Sequence, residues 1–75
     1  MNVIIRYFAQ VRELRGRDEE TVTFPAGTTA ASAYAALGLP VALPVAFAVN
    51  LERVPGSTEL HDGDELVFLP PIGGG

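Results

Sequence analysis

Along the 75 residues the spacing of hydrophobic and polar positions changes several times, and each change marks an element. In Val3–Phe8 both alternating sets, Val3, Ile5, Tyr7 and Ile4, Arg6, Phe8, are largely apolar. That pattern predicts a strand inside a sheet and not at its edge. Ala9–Arg15 holds helix formers with Val11 and Leu14 three apart and Gly16 behind them, the mark of a short helix with a glycine cap. Thr21-Val22-Thr23-Phe24 alternates as a half-buried strand does, and Pro25-Ala26-Gly27 ends it.

The main helix is expected to start near Thr28, whose hydroxyl can cap free backbone amides. Ala30, Ala33, Tyr34 and Leu37 repeat at the spacing of one buried helix face, Gly38 closes it, and Pro40 forbids continuation. A face built mostly of Ala must lie close against what it covers. Residues 40–45 read as a connection, Ala46–Asn50 as a short buried strand, and the chain through Pro55-Gly56 as irregular. A turn at Asp62-Gly63 leads into the last strand, Glu65–Leu69, again apolar on both faces. The first and last strands are the most apolar, so they belong side by side at the sheet centre. The fold expected is α+β: a mixed sheet with one main helix packed across it, of the β-grasp class. Residues 1–69 form that domain, and residues 70–75, Pro-Pro-Ile-Gly-Gly-Gly, form an extended C-terminal tail.

Composition narrows the chemistry. With 48% hydrophobic residues the chain can build a core, which argues against intrinsic disorder. Five Arg against nine acids give a net charge of −4, against a nucleic-acid partner, which needs a basic face. There is no Cys, so disulfides, thiolate metal sites and Cys nucleophiles are excluded. No run approaches a membrane span and the start lacks a signal-peptide pattern, so a cytoplasmic protein is expected. There is no Lys; every cationic side chain is Arg. The charge is uneven as well, with +3 over residues 1–17 and −7 over residues 18–75.

Self-sufficient catalysis finds no support. His61, the only His, sits in a polar turn, and one His without Cys makes no nitrogen/sulfur metal set. Asp62, Asp64 and Glu65 do not follow the alternating pattern of a calcium loop. Gly73-Gly74-Gly75 is followed by neither a helix nor a Lys and is no phosphate loop. Ser32 and Ser57 lack a His and acid to activate them. The tail is different. Pro70 and Pro71 force an extended path, Ile72 offers an apolar anchor, and Gly73, Gly74 and Gly75 can thread a narrow channel. The reactive group at the tip is the Gly75 carboxylate. A frayed terminus without a task is the competing reading.

Tyr7–Leu14, Ala48-Val49-Asn50, Asp62-Gly63-Asp64-Glu65, Leu69-Pro70-Pro71-Ile72 and the closing Gly74-Gly75 resemble, in that order, the small subunits of molybdopterin synthase. These are the MoaD branch of the MoaD/ThiS sulfur carriers, and their ubiquitin-like β-grasp fold agrees with the elements above. The resemblance implies that an E1-like activating enzyme (MoeB-like) uses ATP to adenylate the Gly75 carboxylate, which sulfur then converts to a thiocarboxylate. It implies a large synthase subunit (MoaE-like) as acceptor, where the sulfur builds the molybdopterin dithiolene. No cofactor is expected on the chain itself. Gly74, Gly73, Ile72 and Pro71 would contact the partners, and Phe8 and Leu69 resemble the family's apolar partner-facing patch. Gly73 stands where the family often has Ser, Thr or Ala. A thiazole-type carrier, a ubiquitin-like protein modifier and a plain interaction module remain as alternatives.

Overall fold

The computed structural model describes residues 1–70. In chain order it contains β1 (Asn2–Tyr7), α1 (Ala9–Arg15), β2 (Glu19–Thr23), α2 (Ala30–Ala36), β3 (Ala46–Val49), β4 (Glu52–Val54) and β5 (Glu65–Leu69). The strands form one sheet in the order β2-β1-β5-β3-β4. β1 and β5 run parallel, with Ile5 opposite Leu66 and Tyr7 opposite Phe68, and the other pairs are antiparallel. The two most apolar strands are therefore neighbours at the centre, and a mixed sheet results.

One face of the sheet carries the core. Val3, Ile5 and Tyr7 of β1 and Leu66 and Phe68 of β5 are buried there with Leu60 and with Ala30, Ala33 and Tyr34 of α2. The small Ala side chains bring α2 close to the strands, and Tyr34 then meets Phe68 edge-on with ring centres 5.1 Å apart. Its hydroxyl donates to the Pro40 carbonyl at 2.7 Å, so burial of the ring leaves no unpaired polar atom. α1 ends as expected on Gly16, in the left-handed conformation.

Three expectations need correction. The cap of α2 is Thr29, paired reciprocally with Ser32, while the Thr28 hydroxyl donates to the Pro25 carbonyl. β2 begins at Glu19, because Arg6 and Ile5 of β1 pair with Glu19 and Glu20. β4 was expected to be irregular chain. Its three residues include Glu52 and Arg53 and carry no apolar alternation, and cross-strand pairing to Phe47, Ala48 and Val49 makes it a strand.

The chain after β4 is fastened to the start of α2. Ala31 N–H donates to the Gly56 carbonyl, Ala30 N–H to Thr58 and Leu60 N–H to Thr28, each at 2.9 Å. Gly56 lies so close that a Cβ there would stand 3.0 Å from Ala31 Cβ and 3.1 Å from the Phe47 ring. Neither neighbour is a flexible chain end. Gly56→Ala is expected to destabilise the fold by about 1–3 kcal/mol, measurable as a lower urea midpoint; an unchanged midpoint would mean that the helix gives way freely.

Candidate functional site

The face of the sheet away from α2 is open. Because side chains alternate along a strand, Arg6 of β1, Ala48 of β3 and Val67 and Leu69 of β5 point there. With Phe8, Leu51 and Glu65 they line a shallow groove of about 260 Å³. Phe8 is 43% exposed and Leu51 88% exposed, so these are surface groups and not core. Phe8 and Leu69, singled out from the sequence, thus lie in one groove. Leu51, Ala48 and Val67 were not singled out. Leu51 follows Asn50 in a two-residue turn whose residues both have positive φ, 51° and 70°. Such a turn directs an apolar side chain outward, and an Asn-Leu pair inside an apolar stretch gives only a faint sign of it.

Phe8 occupies the N-cap of α1 and makes no side-chain cap hydrogen bond. Ser, Thr, Asp or Asn would stabilise that position. An exposed aromatic ring at a capping position serves local folding poorly, which sets Phe8 apart from the core aromatics.

The end of β5 defines a second feature. Tyr7 pairs with Phe68 and Ala46 with Leu69, so Pro70 emerges between the end of β1 and the approach to β3. Around it Phe8, Ala9, Val11, Leu43, Pro44 and Val45 help line a cavity of about 290 Å³. Pro70 therefore sits in an apolar collar continuous, at Phe8, with the open face. The predicted contacts at Pro71, Ile72, Gly73, Gly74 and Gly75, and with them the expected tail beyond Pro70, lie outside the described residues.

Across the β1–β2 pair lies an ionic cluster. The Tyr7 hydroxyl donates to Glu20 Oε2, which also accepts from Arg15 Nε at 3.1 Å and Nη2 at 2.6 Å. Arg17 Nη1 donates to Glu20 Oε1 at 3.1 Å, and Arg15 Nη1 reaches the Leu37 carbonyl at 3.2 Å. β1, β2, the loop after α1 and the end of α2 are thereby tied together. Burial alone would raise the Glu20 carboxyl, but the Tyr7 hydroxyl and Arg15 guanidinium outweigh it and hold it below its ordinary value. Burial and the Glu20 carboxylate push the Tyr7 phenol well above its ordinary value.

Glu20 stabilises the fold above the unfolded carboxyl value of about 4.3, and that stabilisation is lost as pH falls through the lower folded value. Glu20→Gln is expected to cost about 2 kcal/mol at pH 7 and to flatten the fall in urea midpoint between neutral and acid pH. A variant as acid-sensitive as the parent would show that other carboxyls govern that fall.

The acidic turn is structural. Asp62 Oδ1 accepts from Asn2 N–H at 2.6 Å, and Asp64 Oδ1 accepts from Asn50 Nδ2 at 2.9 Å. Asn50 Oδ1 in turn accepts from Glu65 N–H at 3.0 Å. His61 is exposed, with its Nδ1 3.8 Å from Asp64 Oδ2. Among the described residues no three His, Asp or Glu side chains are grouped to hold a metal ion, and no helix is long and apolar enough to cross a membrane.

The sequence matches the ThiS family over residues 5–75. The chain belongs to the ThiS family. Its fold is the β-grasp of these carriers and of ubiquitin-like proteins. One similar structure is a putative molybdopterin converting factor subunit 1 from Pyrococcus furiosus, with 28% identity and a TM-score of 0.80. The match covers 96% of this chain and 99% of that one. Subunit 1 in the complex of subunits 1 and 2 of molybdopterin-converting factor from Helicobacter pylori has 25% identity and a TM-score of 0.65, with both chains fully covered. SAMP1 from Haloferax volcanii shares the fold at 21% identity, with a TM-score of 0.78 and full coverage of both chains. The ThiS-family match takes in the strand that carries the tail and the tail itself.

Proposed function

We propose that this ThiS-family chain is the sulfur-carrying small subunit of a molybdopterin synthase. Gly75 is its reactive end. An E1-like activating enzyme uses ATP to adenylate the Gly75 carboxylate, and sulfur replaces the adenylate to leave a thiocarboxylate. The carrier then docks on a large subunit, where that sulfur enters the molybdopterin dithiolene. The observation that carries the reading is the family match running through Gly75. Support for the molybdopterin branch comes from the two converting-factor relatives, one of them in complex with its subunit 2.

The chemistry assigns roles sensibly. A carboxylate is a poor electrophile until its oxygen becomes a leaving group, and a thiocarboxylate is a competent sulfur nucleophile. The catalytic groups for both steps belong to the partners. What this chain supplies is a tail on the central strand, an apolar collar at its foot and an open face beside it. Gly74 and Gly73 offer a narrow approach, and Ile72 and Pro71 an apolar and stiff one.

The branch is tested by giving the sulfur-loaded carrier to a large subunit together with cyclic pyranopterin monophosphate. Dithiolene formation that depends on the loaded carrier is the expected result. Thiazole formation with a thiazole synthase instead, or amide-linked conjugates that survive reducing denaturing gels, would redirect the reading to the thiazole or modifier branch.

A further inference from the structure

Four of the five Arg are paired with acids. Arg6 stands 3.6 Å from Glu19 and 3.6 Å from Glu65, Arg12 stands 3.6 Å from Asp18, and Arg15 and Arg17 both reach Glu20. Arg53 is exposed and has neither an ion pair nor a side-chain hydrogen bond among the described residues. With nine acids to five Arg, leftover acids are expected and a leftover Arg is not. The neighbouring Glu52 does not serve it. Glu52 lies opposite Val49, which packs on the core, and so takes the other side of the strand.

The strand register places Arg53 on the open face. Glu19 lies opposite Arg6, Arg6 opposite Val67, Val67 opposite Ala48, and Ala48 opposite Arg53. Directly opposed side chains share a face, so these five form one row from the β2 edge to the β4 edge. The row is electrically divided. At its β2 end Arg6 stands between Glu19 and Glu65, one cation against two acids, a net −1. Its middle is apolar, and its β4 end is the unpaired charge of Arg53.

The relief of the face runs the same way. Ala46 lies opposite Leu69 and Ala48 opposite Val67, so β3 presents only methyl groups here and forms the floor of a channel. Val67 and Leu69 stand on one bank and Arg53 on the other, two strand spacings or ~10 Å apart. Arg53 also lines a shallow groove with Ala46, Val54 and Pro55. Leu51, 88% exposed, adds an apolar group in the turn between β3 and β4.

We infer that Arg53 is a specificity-determining contact of the docking face: it receives an Asp or Glu side chain of the large synthase subunit, while apolar side chains of that subunit cover Val67, Leu69 and Phe8. This rests on the sulfur-carrier reading above. A basic group at that place would set like charges face to face, and an apolar one would take the guanidinium out of water without compensation. The excess acid around Arg6 repels the same carboxylate at the far end of the row, so charge also sets which way round the partner sits. A charge on an edge strand can serve instead to block pairing with other chains. Its sign separates the two roles, since Glu guards an edge as well as Arg does.

The test measures association of the full chain with its cognate large subunit at about 0.01 M and about 1 M salt, where the screening length falls from ~30 Å to ~3 Å. Arg53→Glu is expected to associate ~10-fold more slowly than the parent at low salt, with the gap closing at high salt. Arg53→Lys is expected to keep the parent's rate, and changing one acid of the large subunit to Arg is expected to restore the rate of Arg53→Glu. Thermal midpoints of both variants are expected to match the parent's, because Arg53 has no ion pair or hydrogen bond to lose. Equal low-salt rates for the parent and Arg53→Glu would overturn the inference, as would a gap that persists at high salt. Self-association of Arg53→Ala with unchanged binding of the large subunit would make Arg53 an edge guard and overturn it too. A parent that does not bind the large subunit at all overturns the docking reading and this inference together, and is thereby told apart from a failure at Arg53 alone.

Discussion

Removal of Gly75 is expected to reduce ATP-dependent sulfur loading by more than ~100-fold while leaving the thermal midpoint of the fold unchanged. The largest fully buried side chains, Tyr7, Phe68, Ile5, Leu60, Leu66 and Val3, all precede Pro70, so the core does not depend on the tail. Shortening the chain by one residue draws the terminal carboxylate back by ~3.5 Å, and displacement of a reacting group by even 1 Å can cost ~100-fold. Loading and thermal unfolding measured on the same preparation separate the two effects. Loading that persists would place the reactive group elsewhere, and a lowered midpoint would show that the tail braces the domain.

Phe8→Asp is expected to weaken binding to the large subunit by about 100-fold without destabilising the carrier. An aromatic anchor at the centre of an interface contributes about 2–4 kcal/mol on truncation, and a carboxylate set against an apolar partner surface adds a desolvation cost. The same substitution places a favoured capping residue at the N-cap of α1, where the Phe8 ring makes no cap hydrogen bond, and caps of that kind stabilise by ~1 kcal/mol. A midpoint that is equal or higher together with lost binding is the signature of a residue kept for a partner. Calorimetric titration and thermal unfolding read the two halves. Binding that survives, or a fold that fails, would return Phe8 to a structural role.

The sequence made legible whatever depends on local pattern. The apolar faces of Val3–Phe8 and Glu65–Leu69 placed the central strands, and Gly16 placed the end of α1. β4 was not legible, because Glu52 and Arg53 give no alternation and the strand exists only through its pairing to β3. The Thr29–Ser32 cap was missed for a related reason: Thr28 and Thr29 are equivalent in sequence, and the hydrogen bonds from Ala30 and Ala31 to the chain after β4 fix which one caps. At the site, the alternation along β1 and β5 put Phe8 and Leu69 on one face, where both line the groove, while the readings at Pro71 to Gly75 lie outside the described residues. The collar of Leu43, Pro44 and Val45 and the outward Leu51 were not legible, since they depend on which strand ends meet and on positive φ at Asn50 and Leu51. The Tyr7–Glu20–Arg15 cluster likewise joins residues whose proximity only the β1–β2 register determines.

The measurement closest to the central claim is the intact mass of this chain after incubation with ATP, an E1-like activating enzyme and a sulfur donor. The account predicts a gain equal to one sulfur replacing one oxygen, located by fragmentation at Gly75. An unchanged mass, in the hands of enzymes that load a control carrier, would contradict it and leave a β-grasp interaction module.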